Sequence, residues 1–298
     1  MNRVASAEPS LSILARHLLH QPSEDDFRRA PVLVGHHSHL STPEGLSGGE
    51  TQQVLQELVD QLGQPSQYGG GAGGVDVRWR TESHTVILDV RGDGRLHLSV
   101  QGTAALERSE HEAFLRYGNR RLHGEAGDLP YLWRYQQSST FPLPPTIPVA
   151  QGWAPLQSAL EALLRSWAQH LEGLAGDDDA GFTIDHGDGE VMLMVSPRDE
   201  VAVFADRRDG TDRDAEHLNA MTARGWHSFI PVLSWWEAHF DRTPDGAAAA
   251  AQLVVNELRA RGVRTPGDLR LVRATLGARG GSLVIPGAGI AAGTEYSR

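Results

Sequence analysis

The side chains best suited to chemistry are imidazoles, and their densest run is Gly35-His36-His37-Ser38-His39. His36, His37 and His39 are close enough in sequence to bind zinc or another transition metal. With acidic residues from elsewhere they would make a metal-dependent hydrolase. The same run also reads as a polar loop behind the apolar Pro31-Val32-Leu33-Val34. Asp177-Asp178-Asp179 offers oxygen ligands for a divalent cation. No Gly/Glu pattern of a calcium loop follows it, so a solvated loop is the simpler reading. Other chemistry is excluded by composition. Cysteine is absent, which removes disulfides, thiolate metal sites and cysteine nucleophiles. All 27 basic residues are arginine. Without lysine there is no P-loop lysine, no Schiff base and no lysine general base.

Two short motifs invite sharper readings. Gly45-Leu46-Ser47-Gly48-Gly49-Glu50 looks like the signature loop of ABC-type ATPases, in which a Ser-Gly-Gly turn at a helix N-terminus holds phosphate. That loop works with a P-loop, which this chain lacks. A Gly turn opening a helix over Glu50–Leu62 is the plainer reading. Arg91-Gly92-Asp93-Gly94 contains an adhesion tripeptide, but between two strand patterns it reads as a hairpin turn.

The 298 residues carry a formal net charge of −11. Such a balance argues against nucleic acid as the main partner and favours a basic one. No apolar run approaches the roughly 20 residues that span a bilayer, so no membrane partner is expected. Met1–Ser10 lacks the basic start and apolar core of a signal peptide. The expected location is cytoplasmic, and no cofactor is implied.

The elements that would position any site follow from apolar spacing. Leu11, Leu14, Leu18 and Leu19 predict a short helix, and Val54, Leu55, Leu58 and Leu62 give Glu50–Leu62 one apolar face. Gly69–Gly74 reads as a flexible connection. Val75–Arg80, Thr85–Val90 and Arg95–Val100 predict three strands, and Ser109–Tyr117 a helix. A second helix runs from Trp153 to Leu171, followed by strand-like runs Gly181–Asp185, Glu190–Val195 and Glu200–Ala205. Helices over Arg213–Ala223 and Gly246–Arg261 complete the pattern.

Helix, three strands and helix therefore occur twice, which predicts two similar α+β units. Four prolines in Phe141–Pro148 make a stiff connector. The expected organisation is an N-terminal extension over 1–48, a first unit over 49–140, a linker over 141–152, a second unit over 153–276 and a Gly/Ala-rich tail over 277–298. Ser282-Leu283-Val284-Ile285 can add to a sheet edge; otherwise the tail is loose. Trp226, Trp235, Trp236 and Phe240 are the most aromatic part of the chain. Trp226 reads as core. One of the adjacent pair Trp235/Trp236 should be partly exposed, because neighbours point in different directions.

Gly225-Trp226 after a helix, Trp235-Trp236, Ala250–Arg259, Gly262-Val263 and Pro266-Gly267-Asp268-Leu269 resemble the actinobacterial TY-Chap family, which is similar to type III secretion chaperones and YbjN. The resemblance covers mainly residues 153–275. It implies an α-β-β-β-α-β-β-α fold, a peptide or protein-segment client and no catalytic residues. Pro231 departs from it by interrupting a stretch that should be sheet. The expected protein is a chaperone-like or adaptor protein that binds a client along a sheet edge or aromatic groove, with Trp235, Trp236 and Phe240 as anchors. The hydrolase on His36, His37 and His39 and a structural subunit of a larger assembly are the alternatives.

Overall fold

The computed structural model describes residues 11–33, 48–71, 74–90, 95–119, 129–137, 141–176, 178–187, 190–195, 200–206, 215–233, 235–277 and 281–293. In the first half the chain forms α1 (Leu11–His20), β1 (Val32–Leu33), α2 (Gly48–Leu62), β2 (Gln67–Gly71), β3 (Gly74–Arg80), β4 (His84–Val90), β5 (Leu96–Gly102), α3 (Thr103–Asn119) and β6 (Trp133–Gln136). The second half forms α4 (Trp153–Ala175), β7 (Ala180–Asp185), β8 (Glu190–Val195), β9 (Glu200–Asp206), α5 (Ala215–Ala223), β10 (Ser228–Ile230), β11 (Trp235–Asp241), α6 (Pro244–Ala260), β12 (Arg270–Leu276), β13 (Ser282–Val284) and β14 (Ala291–Ala292). The class is α+β, with two sheets packed against helices.

The first sheet has strand order β1-β5-β4-β3-β2-β6-β13, and the second β10-β11-β9-β8-β7-β12-β14. All pairings are antiparallel except β14 on β12. The antiparallel meanders β3-β4-β5 and β7-β8-β9 correspond to each other, each preceded and followed by a helix. The first half inserts β2 between its helix and its meander.

A sheet with one apolar face needs a helix layer on that face. Here α4 serves both sheets. Its Leu156, Leu160, Leu163, Leu164, Trp167 and Leu171 are fully buried, while Ser158, Arg165, Gln169 and Glu172 form an exposed polar stripe, so one broad apolar face serves both sheets. The Trp167 ring meets Trp133 of the first sheet edge-on at 6.3 Å and Phe182 of the second at 5.7 Å. Helix α2 flanks α4 on one side and α6 on the other. Buried Ala247, Ala250 and Ala251 let α6 come close. Thr243 caps α6 by accepting a hydrogen bond from the Gly246 amide at 3.1 Å, with Pro244 at the first helical position. The buried apolar residues of both halves form one continuous cluster.

Several expectations are corrected. Gly69–Gly71 is not a flexible connection but part of strand β2. The glycines are there for close packing: a Cβ on Gly70 would lie 2.8 Å from Ser166 Oγ and from Trp133 Nε1, and one on Gly69 2.7 Å from the Trp133 carbonyl oxygen. Helix α3 begins six residues earlier than expected, directly out of β5. Pro231 does not interrupt the sheet. It lies in the turn that joins β10 to β11, where a missing amide costs nothing. Ser282–Val284 does add to a sheet edge, pairing with β6. After it, Pro286–Ala288 turns onto α4, the Gly287 amide donates to the Leu132 carbonyl at 2.8 Å, and the Ala150 amide donates to that of Gly289 at 2.9 Å. Leu283, Val284, Ile285 and Ile290 are buried. Residues 281–293 thus clasp an edge of each sheet.

The other face of the first sheet is polar. Asp76 and Arg78 of β3 and Arg134 of β6 lie there with Glu110 of α3. Arg78 donates from Nε to Asp76 at 2.7 Å and from Nη2 to Glu110 at 2.5 Å. Arg134 donates to Asp76 at 3.0 Å and through both terminal nitrogens to Glu110 at 3.0 Å. Burial alone would raise the Glu110 pKa, but the guanidiniums of Arg134 and Arg78 reverse that and hold it at about 2. The Arg134 guanidinium also lies over the Tyr131 ring, 3.5 Å from its centroid. The forked donors of arginine suit such a four-membered cluster better than a lysine ammonium.

Candidate interaction site on the second sheet

The three expected anchors stand on one strand but not on one face. In β11, Trp236 pairs with Ala205, Ala238 with Val203 and Phe240 with Val201. This is the face packed against α6, and Trp236 is only 3% exposed. Phe240 is partly buried against the same core. Trp235 points to the opposite face and is partly exposed, as alternation requires. Trp226 is buried, and its indole donates to Glu257 at 3.1 Å.

Trp235 has its own neighbours. Its ring is 6.0 Å from Phe204, and Phe204 is 6.4 Å from His239. The two nitrogens of His239 face Glu200 at 2.6 Å and Glu237 at 3.4 Å. Ser228 donates its hydroxyl to Glu237. The His239 amide donates to His227 Nδ1 at 3.1 Å, and the two imidazoles stack at 6.3 Å. The open face of this sheet is therefore an aromatic patch edged by carboxylates, tied across β9, β11 and β10.

Strand β10 ends the sheet. Among the described residues its strand partner is β11 alone, so its outward backbone groups are unpaired. Such an edge is a template for a further strand. Phe229 packs on Trp236 at 5.4 Å. The turn that follows projects Val232 and Leu233, which are 93% and 53% exposed. Two large aliphatic side chains at a hairpin tip beside an open edge form an apolar landing surface. A rigid base supports the hairpin. Arg261 donates from Nε to Glu257 at 3.0 Å and to the Asp206 carbonyl at 2.8 Å, while Glu257 accepts from Trp226 just before β10.

Sequence reasoning missed Val232 and Leu233. Their signal was present: two aliphatic residues directly after a proline, in a segment that must turn. His36, His37 and His39 lie outside the described residues, as do Ser47, Arg91–Gly94 and Asp177. Among the described residues no group of three or more His, Asp or Glu is arranged to hold a metal ion. No helix among them is long and apolar enough to cross a membrane. Comparison with protein-family profiles, with curated proteins and with solved structures found no match for this chain.

Proposed function

We propose that this chain is a non-enzymatic, chaperone-like or adaptor protein that binds an extended client segment along β10. The observation that carries this reading is the open β10 edge beside the exposed Val232 and Leu233. The client adds as a strand, its backbone pairing with β10 and an apolar side chain resting on the hairpin tip. Trp235, on the open face, takes the role of aromatic anchor; Trp236 and Phe240 support the strand from behind. The order α4-β7-β8-β9-α5-β10-β11-α6 matches the α-β-β-β-α-β-β-α order that the resemblance to the secretion-chaperone-like family implies, and it supports the same reading. Glu200 and Glu237 around His239 on the open face, with a net charge of −11, favour a basic client.

The test is selection of 12-residue peptides from a displayed library on the full chain, followed by fluorescence anisotropy. Replacing Val232 and Leu233 together by Asp, or Ile230→Lys on the edge strand, should weaken selected peptides at least about tenfold, the scale of one lost hot-spot contact. Ile13→Asp, at another exposed aliphatic residue, should leave them unchanged. Equal binding by wild type and the double variant would remove β10 as the site.

A further inference from the structure

The three residues of β10 also fix which side chains a partner strand must present. In the pairing with β11, Ser228 stands opposite Glu237, Phe229 opposite Trp236 and Ile230 opposite Trp235. Successive side chains alternate between the faces of a sheet. Phe229, packed on Trp236, belongs to the core face. Ser228 and Ile230 belong to the open face, where the Ser228 hydroxyl donates to Glu237. A strand added along β10 therefore lays two side chains, two residues apart, on the open face. One falls in the row that continues through Ser228 to Glu237. The other falls in the row that continues through Ile230 to Trp235.

The first row suits a long cation. Ser228 is exposed and has the smallest side chain of the strand. Glu237 stands behind it, 23% exposed, with His239 at 3.4 Å. A neutral imidazole carries one ring N–H, and the closer contact of His239, 2.6 Å, is to Glu200. Among the described residues Glu237 faces no arginine. Those at the base of the hairpin are engaged elsewhere: Arg224 meets Glu257 at 3.4 Å, and Arg261 meets both Glu257 and Asp206. A partner strand would lie about 5 Å outside β10 and about 10 Å from β11. Only a long side chain crosses that gap, and a residue as small as serine leaves its stem a clear path. Lys and Arg combine the length with the charge.

The second row is apolar. Ile230 is partly buried, and Trp235 lies behind it with Phe204 6.0 Å from its ring. Val232 and Leu233 project from the turn just beyond. A large aliphatic or aromatic side chain opposite Ile230 makes the kind of cross-strand pair that stabilises sheets.

Resting on β10 as the client edge, we propose that Ser228 and Glu237 are the specificity-determining pair of this site. The client carries Lys or Arg two residues from a large apolar residue. The basic side chain passes over Ser228 to Glu237, and the apolar one rests on Ile230. Their order along the client depends on whether it runs parallel or antiparallel to β10; their spacing does not.

The probe is the fluorescein-labelled peptide Ser-Thr-Lys-Thr-Leu-Thr-Lys-Thr-Ser, which presents the pattern in either direction. Anisotropy with the full chain compares it with versions in which both lysines are Gln or Glu. A fourth peptide, Ser-Thr-Thr-Lys-Leu-Lys-Thr-Thr-Ser, puts the charges on the other face. The first peptide should bind about fivefold more tightly than the Gln version and the fourth peptide, as one partly exposed ion pair supplies, and the Glu version should bind weakest. Glu237→Gln, which removes the charge, and Ser228→Val, which blocks the path, should each bring the Lys peptide to the level of the Gln version. Glu237→Lys should reverse the order, so that the Glu version binds best, a gain that an unfolded variant cannot show. Equal binding of the Lys and Gln peptides to wild type, or a Lys preference that survives Glu237→Gln, overturns the assignment. If the peptides still lose affinity when Val232 and Leu233 are replaced by Asp, β10 stands as the client edge and only the side-chain code falls. The code also falls alone if library-selected peptides bind at β10 and these probes do not. If neither binds there, both readings fall.

Discussion

Glu110→Gln is the sharpest test of how the first sheet is held together. The substitution keeps size and shape and removes one charge from a balanced set of four. Arg78 and Arg134, whose side chains are 7% and 4% exposed, would then share Asp76 alone. Glu110 titrates at about 2 against an ordinary 4.5. At 1.36 kcal/mol per pKa unit, that difference makes its ionisation worth about 3 kcal/mol to the folded state. Breaking one side of a buried ion pair costs about 3–5 kcal/mol in other proteins, a consistent figure. Because the carboxylate pKa is depressed, its stabilisation is fully present above about pH 4.5 and is lost as pH falls toward 2. Glu110→Gln should therefore lower stability by about 3 kcal/mol at pH 7, or Tm by about 6 °C for a chain of this size. At pH 2.5 the gap should shrink to about 1 kcal/mol or less, because the wild type is losing the same charge. Urea unfolding followed by tryptophan fluorescence at both pH values measures this. The double variant Glu110→Leu/Arg134→Met, which removes a matched pair, should cost less than the sum of the two single changes. A variant within 1 kcal/mol of wild type at pH 7, or a gap that does not narrow in acid, would refute the idea that this cluster is electrostatically coupled.

Three further outcomes follow from packing and titration. Gly70→Ala puts a methyl 2.8 Å from Ser166 Oγ and Trp133 Nε1, and should destabilise by about 1–3 kcal/mol in thermal unfolding; an unchanged Tm would mean that α4 can back away from β2. Trp167→Ala removes the ring that touches both sheets and should cost about 3–5 kcal/mol. Calorimetry should show one transition moved as a whole; a shift confined to one of two transitions would contradict the shared core. Burial depresses the His170 pKa to about 4 from 6.5, so its contribution is complete above pH 6.5 and declines through pH 4. His170→Leu should remove up to about 3 kcal/mol of acid-side loss from a stability-versus-pH curve. An unaltered slope in that window would show that the imidazole is solvated.

The parts that were legible in the sequence are those whose signals are local. The 3- and 4-residue spacing from Leu156 to Leu171 is enough to locate α4, and alternation or apolar runs locate β4, β5, β7 and β9. Adjacency alone placed Trp235 and Trp236 on opposite faces. The misses have a common cause in contacts distant along the chain. Gly69–Gly71 carries no apolar pattern, and its extended form is dictated by Trp133 and Ser166, some 60 and 100 residues away. Strand β6 is not among the elements predicted from the sequence: its four residues are all buried, Arg134 against Asp76 and Glu110 far away along the chain. The ion cluster was invisible because Asp76, Arg78, Glu110 and Arg134 belong to three elements. At the candidate site, the turn at Pro231 was read as a break in sheet when it is what exposes Val232 and Leu233.

The clasp formed by residues 281–293 also bears on the order of events during synthesis. Strand β6 is complete when residue 136 leaves the ribosome, yet its outer partner β13 begins at residue 282. At roughly 5–20 residues per second, its outer edge waits about seven to thirty seconds for that partner. The other half waits less, since β12 and β14 emerge close together, but the helix that both sheets share lies in between. Such widely separated pairings slow folding and keep early segments open to the wrong neighbours. A nascent chain stalled before residue 281 should therefore expose the hydrogen-bonding edge of Trp133–Gln136 and be aggregation-prone. Quality control at the ribosome would meet this protein late in its synthesis, when all but the last few strands have already been made.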